Sequence, residues 1–224
     1  MSEYFVPKIP VAQTWQIAVV VLNLLLLGLL RVNFGKRLNL ILNAFFSNRF
    51  VDQLAREDRF SSNVSNILLD AIYVINLALF LFIGIKEFTD SFSSLGPGVL
   101  FVLLGLLVLA FIIAKWLSMF VFGWLFDFEE PVKYLLFQRF LNHSIGGLIL
   151  IPVTVFVIFA SKGVREIWLF TAGLFVLMFV FRMFRLAFQF GVFKSLSAKY
   201  IILYICGLEI LPLLLLVKIS ANYL

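Results

Sequence analysis

Apolar residues run along this chain in long unbroken blocks, with polar residues gathered between them. Six blocks, roughly 11–30, 65–85, 99–122, 144–160, 167–184 and 200–218, consist almost wholly of hydrocarbon side chains. Crossing a hydrocarbon core of ~30 Å takes about 20 helical residues, so the pattern predicts about six transmembrane helices. Continuous runs favour helices over a barrel, whose strands alternate in polarity. The fold class that follows is all-α: a polytopic membrane helical bundle, one integral domain over 1–224. The fourth block is short and holds Pro152, and the third is long enough to tilt.

Two connections carry a helical period of their own. In "LNLILNAFFSNRF", Leu38, Ile41, Leu42, Phe45 and Phe46 recur at helical spacing, which predicts an amphipathic helix lying along the interface. A second is predicted after "FDFEEPVKYLLFQRF". Pro131 suits the first helical position there, and Asp127, Glu129 and Glu130 complement the positive helix start.

Composition agrees with the pattern. The chain is 63% hydrophobic and 13% charged, with a mean hydropathy of +1.09. Soluble domains run near half apolar and about a quarter charged, so a water-facing surface is excluded. The net charge of +6 is scattered between apolar blocks, which reads as topology signal and not as a nucleic-acid surface. Segment 31–64 holds six basic residues, 123–143 two (Lys133, Arg139) and 182–199 four (Arg182, Arg185, Lys194, Lys199). The other side holds five: Lys8, Lys86, Lys162, Arg165 and Lys218. Twelve against five places the richer side in the cytoplasm and both termini opposite. No basic region precedes the first block and no small-residue cleavage site follows it, so it is predicted to be retained.

Ionisable residues inside spans mark where polar chemistry could occur, because a charge at a helix centre costs roughly 2.5–3.5 kcal/mol on insertion scales. Asp70, Lys115 and Glu209 are the cases here. At ~1.5 Å per residue they fall in one layer of the cytoplasmic half. That layer suits an ion pair fixing helix register, a proton or ion pathway, or contact with a partner subunit. Pro212 lacks an N–H for the carbonyl of Leu208 and so kinks the last span beside Glu209. Arg182, Arg185 and Gln189 form a stripe suited to partner or lipid-phosphate contacts. Ala110, Ala114 and Ser118, spaced by four, predict close helix packing.

Catalytic signatures are lacking: no His-Glu-x-x-His, no Gly-x-Ser-x-Gly and no Walker loop occurs. No cofactor and no metal site is expected. The Asp127, Glu129, Glu130 cluster is explained by helix initiation, and the lone His143 by an interfacial hydrogen bond. The single cysteine, Cys206, can form no internal disulfide and is read as a packing residue.

Two stretches, "GWLFDFEEPVKYLLFQRFLNHSIGGLILIP" (Gly123 to Pro152) and "LYICGLEILPLLLLVK" (Leu203 to Lys218), carry a resemblance. Gly-Trp-Leu-Phe, then Tyr134, Phe137, Asn142, Gly147 and Pro152, and the closing Leu-Glu-Ile-Leu-Pro, resemble a domain-of-unknown-function family of small multi-span inner-membrane proteins of diderm bacteria. The resemblance implies a multi-pass location in the bacterial inner membrane and supplies no catalytic or binding residue. The expected function is a non-enzymatic integral subunit of an inner-membrane assembly, in protein export or insertion or in envelope biogenesis. Its expected partners are membrane lipids and other membrane-protein subunits, with no specific nucleic acid. The alternative is a small transporter or lipid-handling protein using the Asp70, Lys115, Glu209 layer.

Overall fold

Five α-helices make up the described part of the chain in a computed structural model, which covers residues 14–46, 63–88, 96–125, 129–159 and 163–190. They are α1 (Thr14–Phe46), α2 (Asn63–Phe88), α3 (Pro97–Leu125), α4 (Glu129–Phe159) and α5 (Val164–Phe190), with no strand among the described residues. Stretches Thr14–Ala44, Val64–Phe88, Pro97–Val121 and Leu136–Phe159 are long and apolar enough to cross a membrane. Among the described residues that is four spans, where the sequence pattern predicts six over the whole chain. The predicted fifth, 167–184, is helical within α5 but is not among the four. The side chains of Phe179 and of Arg182 onward in this helix lie outside the described ones. The predicted sixth, 200–218, lies outside the described residues, as do Cys206, Glu209 and Pro212.

α2 and α4 pack most extensively and run in the same direction, while α1 and α3 flank them. α1 ends, α2 begins, α3 ends and α4 begins at one end of the bundle. Arg31, Lys36, Arg37 and Arg139 sit toward this end, called the basic end below. The buried face of α1 follows a heptad: Gln16, Val20, Asn23, Leu30, Arg37, Ile41 and Ala44, with half-buried Leu27 and Phe34 filling the remaining steps. Alternating steps of four and three give the period of 3.5 that keeps one seam against its neighbours.

Both predicted interfacial helices turn out to be continuations of spans. α1 proceeds through Phe34, whose φ of −131° and ψ of 30° break the helical geometry, and on to Phe46. Just before this kink, the Asn33 side-chain amide donates to the carbonyl of Leu29 at 3.1 Å, inserting a side chain into the backbone ladder. Beyond it, Leu38, Ile41 and Ala44 are buried with Leu141 and Ile145 of α4. Their apolar stripe faces protein, while Leu42 remains exposed. α4 likewise begins at Glu129 and runs unbroken into its span, so Pro131 is its third residue and not its first. A proline in the first turn removes an N–H that has no helical acceptor. The side chains of Phe45, Phe46, Glu129, Glu130 and Pro131 lie outside the described ones, and so does all of Asp127.

The core divides into two apolar clusters. Leu30, Leu69, Ile72, Leu141, Ile145 and Ile151 belong to the one toward the basic end. Val20, Leu79, Phe82, Leu100, Leu104 and Val157 belong to the other. α3 contributes buried residues to the second alone, and Ala110 and Ala114 are exposed. The predicted small-residue packing on α3 is therefore not made within the described chain. Its inward stripe runs instead through Leu100, Leu104, Val108 and Met119.

Candidate functional site: a polar seam between α2 and α4

Glycine sets the approach of α4 to α2. A Cβ on Gly147 would lie 3.0 Å from the Cα of Tyr73 and 3.1 Å from its backbone nitrogen, so α4 presses directly on the backbone of α2. A Cβ on the preceding Gly146 would meet the Tyr73 ring at 3.4 Å and Phe175 of α5 at 3.6 Å. Small residues let helix backbones meet where lipid supplies no hydrophobic drive for association.

Between the two apolar clusters, three helices are joined by side-chain hydrogen bonds. The Nδ2 of Asn76 donates to Asn23 Oδ1 at 3.1 Å and to the carbonyl of Ile72 at 2.8 Å. Asn23 Nδ2 donates to the carbonyl of Val19 at 3.2 Å. Thr154 Oγ1 lies 3.2 Å from Asn76 Oδ1 and 2.9 and 3.0 Å from the carbonyls of Leu150 and Ile151, sharing one hydroxyl proton among them. Asn23, Asn76 and Thr154 are 2%, 1% and 1% exposed, which places the node wholly inside protein. Asn76 stands at the middle of Val64–Phe88, so the node occupies the centre of that span. A polar group there must be bonded internally, since lipid offers no partner.

Toward the basic end the seam becomes ionisable. The rings of Tyr73 and His143 stack with centroids 4.6 Å apart and planes within 3°. Asp70 is three residues before Tyr73, and His143 is four before Gly147. Because α2 and α4 run in one direction and meet at Tyr73 and Gly147, Asp70 and His143 lie within ~2 Å of the same depth. Asp70 and His143 are both half-buried. Among the described residues no ion pair reaches Asp70.

One turn nearer the basic end, Arg37 (9% exposed) donates to Asn66 Oδ1 at 2.7 Å, tying α1 to α2. Arg139 (6% exposed) reaches Met119 Sδ at 3.5 Å, tying α4 to α3. Ser65 and Gln138 are buried at the same level.

Lys115 falls on the inward stripe of α3, with its ammonium 5.3 Å from the Phe111 ring centre. A Cβ on Gly105 would lie 3.9 Å from that of Ala78, which sets the register of α3 against α2. Counting toward the basic end, Asp70 is eight residues from Ala78 and Lys115 ten from Gly105. They are therefore ~12 and ~15 Å along their helices from that contact. Of the other sequence candidates, Arg182 and Arg185 stand on the α5 backbone with side chains outside the described ones, and Glu209 and Pro212 lie outside altogether. Among the described residues no group of three or more His, Cys, Asp or Glu is placed to hold a metal. A separate apolar groove of about 270 Å³ runs between α4 and α5, lined by Pro152, Phe156, Phe170, Thr171 and Phe175 among others.

The node residues, the buried arginines and the Tyr73–His143 stack were not singled out from sequence as a site. The available signal was the spacing of Gln16, Asn23 and Arg37 by multiples of seven along α1.

A family profile, Domain of unknown function (DUF4271), matches residues 16–219. The chain belongs to the DUF4271 family. The DUF4271 match takes in the whole seam, from Gln16 to Thr154, and reaches past Glu209. It bears out membership in a family of unknown function and reaches through α1 and α2 as well. Neither a curated protein nor a solved structure matches this DUF4271 chain.

Proposed function

We propose that this DUF4271 protein is a non-enzymatic integral subunit of an inner-membrane assembly, serving export, insertion or envelope biogenesis. The observation that carries the reading is the paired extension of α1 and α4 at the basic end. α1 runs on past its kink and α4 starts well before its apolar stretch, and the two bury Leu38, Ile41, Ala44 and Leu141 against each other. This gives a braced two-helix projection at the basic end of the two spans, bearing the exposed Lys36 and the exposed Leu42. Such a projection suits docking of a partner at the membrane face.

In this reading the basic end faces the cytoplasm, following the excess of Lys and Arg there. α5 and the apolar segment 200–218 complete six crossings, with both termini on the periplasmic side. Support for α5 as a crossing comes from its packing. Trp168 and Phe175 both meet Phe80 of α2, and Met178, ten residues on from Trp168, reaches the other cluster. In this reading Arg182 and Arg185, near its far end, contact lipid phosphates.

Purification in mild detergent followed by mass spectrometry tests the assembly. Stoichiometric recovery of other membrane proteins is expected, reduced when Ile41→Asp disrupts the projection. Recovery of the chain alone and monodisperse overturns the reading.

A further inference from the structure

We propose that Asp70, Tyr73 and His143 form a proton-binding site in the half of the bundle nearer the basic end, loaded from that side only. Three observations meet here. Asp70 and His143 share a depth on the two most tightly packed helices, and Tyr73, three residues from the acid, stacks on the imidazole. One turn outward the seam is polar through Ser65, Asn66, Gln138, Arg37 and Arg139, which gives a proton a route from the interface. One turn inward, among the described residues, the route closes: both Nδ2 protons of Asn76 are committed, and beyond it lies the apolar cluster of Leu79, Phe82 and Val157. A proton that enters must leave as it came, so the site binds and does not conduct. Ionisable groups within spans commonly serve as proton carriers.

The charged and titratable groups around Asp70 set its occupancy. They are Tyr73 on its own helix, His143 and Arg139 on α4, Arg37 on α1 and Lys115 on α3, with Arg182 and Arg185 on the α5 backbone toward the same end. The site uses this chain's residues alone, so its test is independent of whether partners are captured.

The test uses the full chain in lipid nanodiscs and a hydrophobic carbodiimide, which adds to protonated carboxyls buried in membranes. Peptide mass spectrometry separates an adduct on Asp70 from one on Glu209. Between about pH 5 and 8, the range a histidine partner governs, labelling of Asp70 is expected to fall as pH rises. His143→Gln and Tyr73→Phe are each expected to move the midpoint of that fall. Should His143→Gln fail to fold, Tyr73→Phe, which removes one oxygen, carries the comparison. No adduct on Asp70 at any pH overturns the assignment, as does a midpoint that the folded variants leave in place. Proton flux into liposomes above the protein-free rate overturns the one-sided closure.

Discussion

At the scale of single residues, glycines show how unevenly this bundle tolerates change. Gly147→Ala would drive a methyl to 3.0 Å from the Tyr73 backbone, and backbone cannot rotate away. A loss of about 1–3 kcal/mol is expected, typical of overpacking, read as a lowered unfolding midpoint in detergent. Gly28→Ala on the exposed face of α1 meets nothing within 4 Å. It should be neutral or stabilise by up to about 1 kcal/mol, since alanine is the better helix former. The Asn23–Asn76–Thr154 node makes a second test. Intramembrane hydrogen bonds average only about 0.6 kcal/mol, reaching about 1.7, in double-mutant cycles. An Asn23→Ala, Asn76→Ala cycle should give coupling of that size, whereas additive losses would show that the bond contributes nothing. These residues escaped the sequence reading for a physical reason. An uncharged amide in a span costs far less than a carboxylate, so composition alone does not make it conspicuous. Asp70 and Lys115 were legible because charge in hydrocarbon is rare.

Among elements, α5 is held differently from the rest. Trp168 lies over Gly84, where a Cβ would fall 2.5 Å from the indole, and its Nε1 donates to the carbonyl of Phe80 at 2.9 Å. The same ring stacks on Phe80 with centroids 5.0 Å apart. Gly84→Ala is therefore expected to unseat α5 selectively. Hydrogen exchange should rise across α5 and stay unchanged in α2 and α4 near Gly147, with Trp168→Phe giving a milder form by removing only the donor. Uniform exchange changes along the whole chain would instead mean that α5 is integral to the core. The amphipathic segments show what periodicity does and does not convey. The helical spacing from Leu38 to Phe46 was legible, and a helix is there. Whether its apolar stripe meets lipid or protein was not, because both environments reward the same pattern. That choice was made by α4, whose Leu141 and Ile145 pack against it.

The whole molecule is polarised, and sidedness is its most accessible property. The described helices put Lys36 and Arg37 at one end, and Lys86 and Arg165 at the other. The latter pair brackets a small aromatic cluster, with Arg165 5.2 Å from the Phe88 ring and Phe88 against Trp168. Positive residues near span ends resist translocation, so the basic end should remain cytoplasmic. Single cysteines introduced as Lys36→Cys and Lys86→Cys, in a Cys206→Ser background, convert this into a measurement. Both side chains lie on the surface of the bundle and are not buried against other helices. A membrane-impermeant maleimide added to intact spheroplasts should label Lys86→Cys at once and Lys36→Cys only after lysis. The reverse order would invert the bundle, turning the α1–α4 projection and the mouth of the Asp70 site outward. In that orientation the proposed cytoplasmic docking surface would have to be abandoned, and the Asp70 site would load from the opposite side of the membrane. A single labelling series therefore bears on every functional assignment made from the seam.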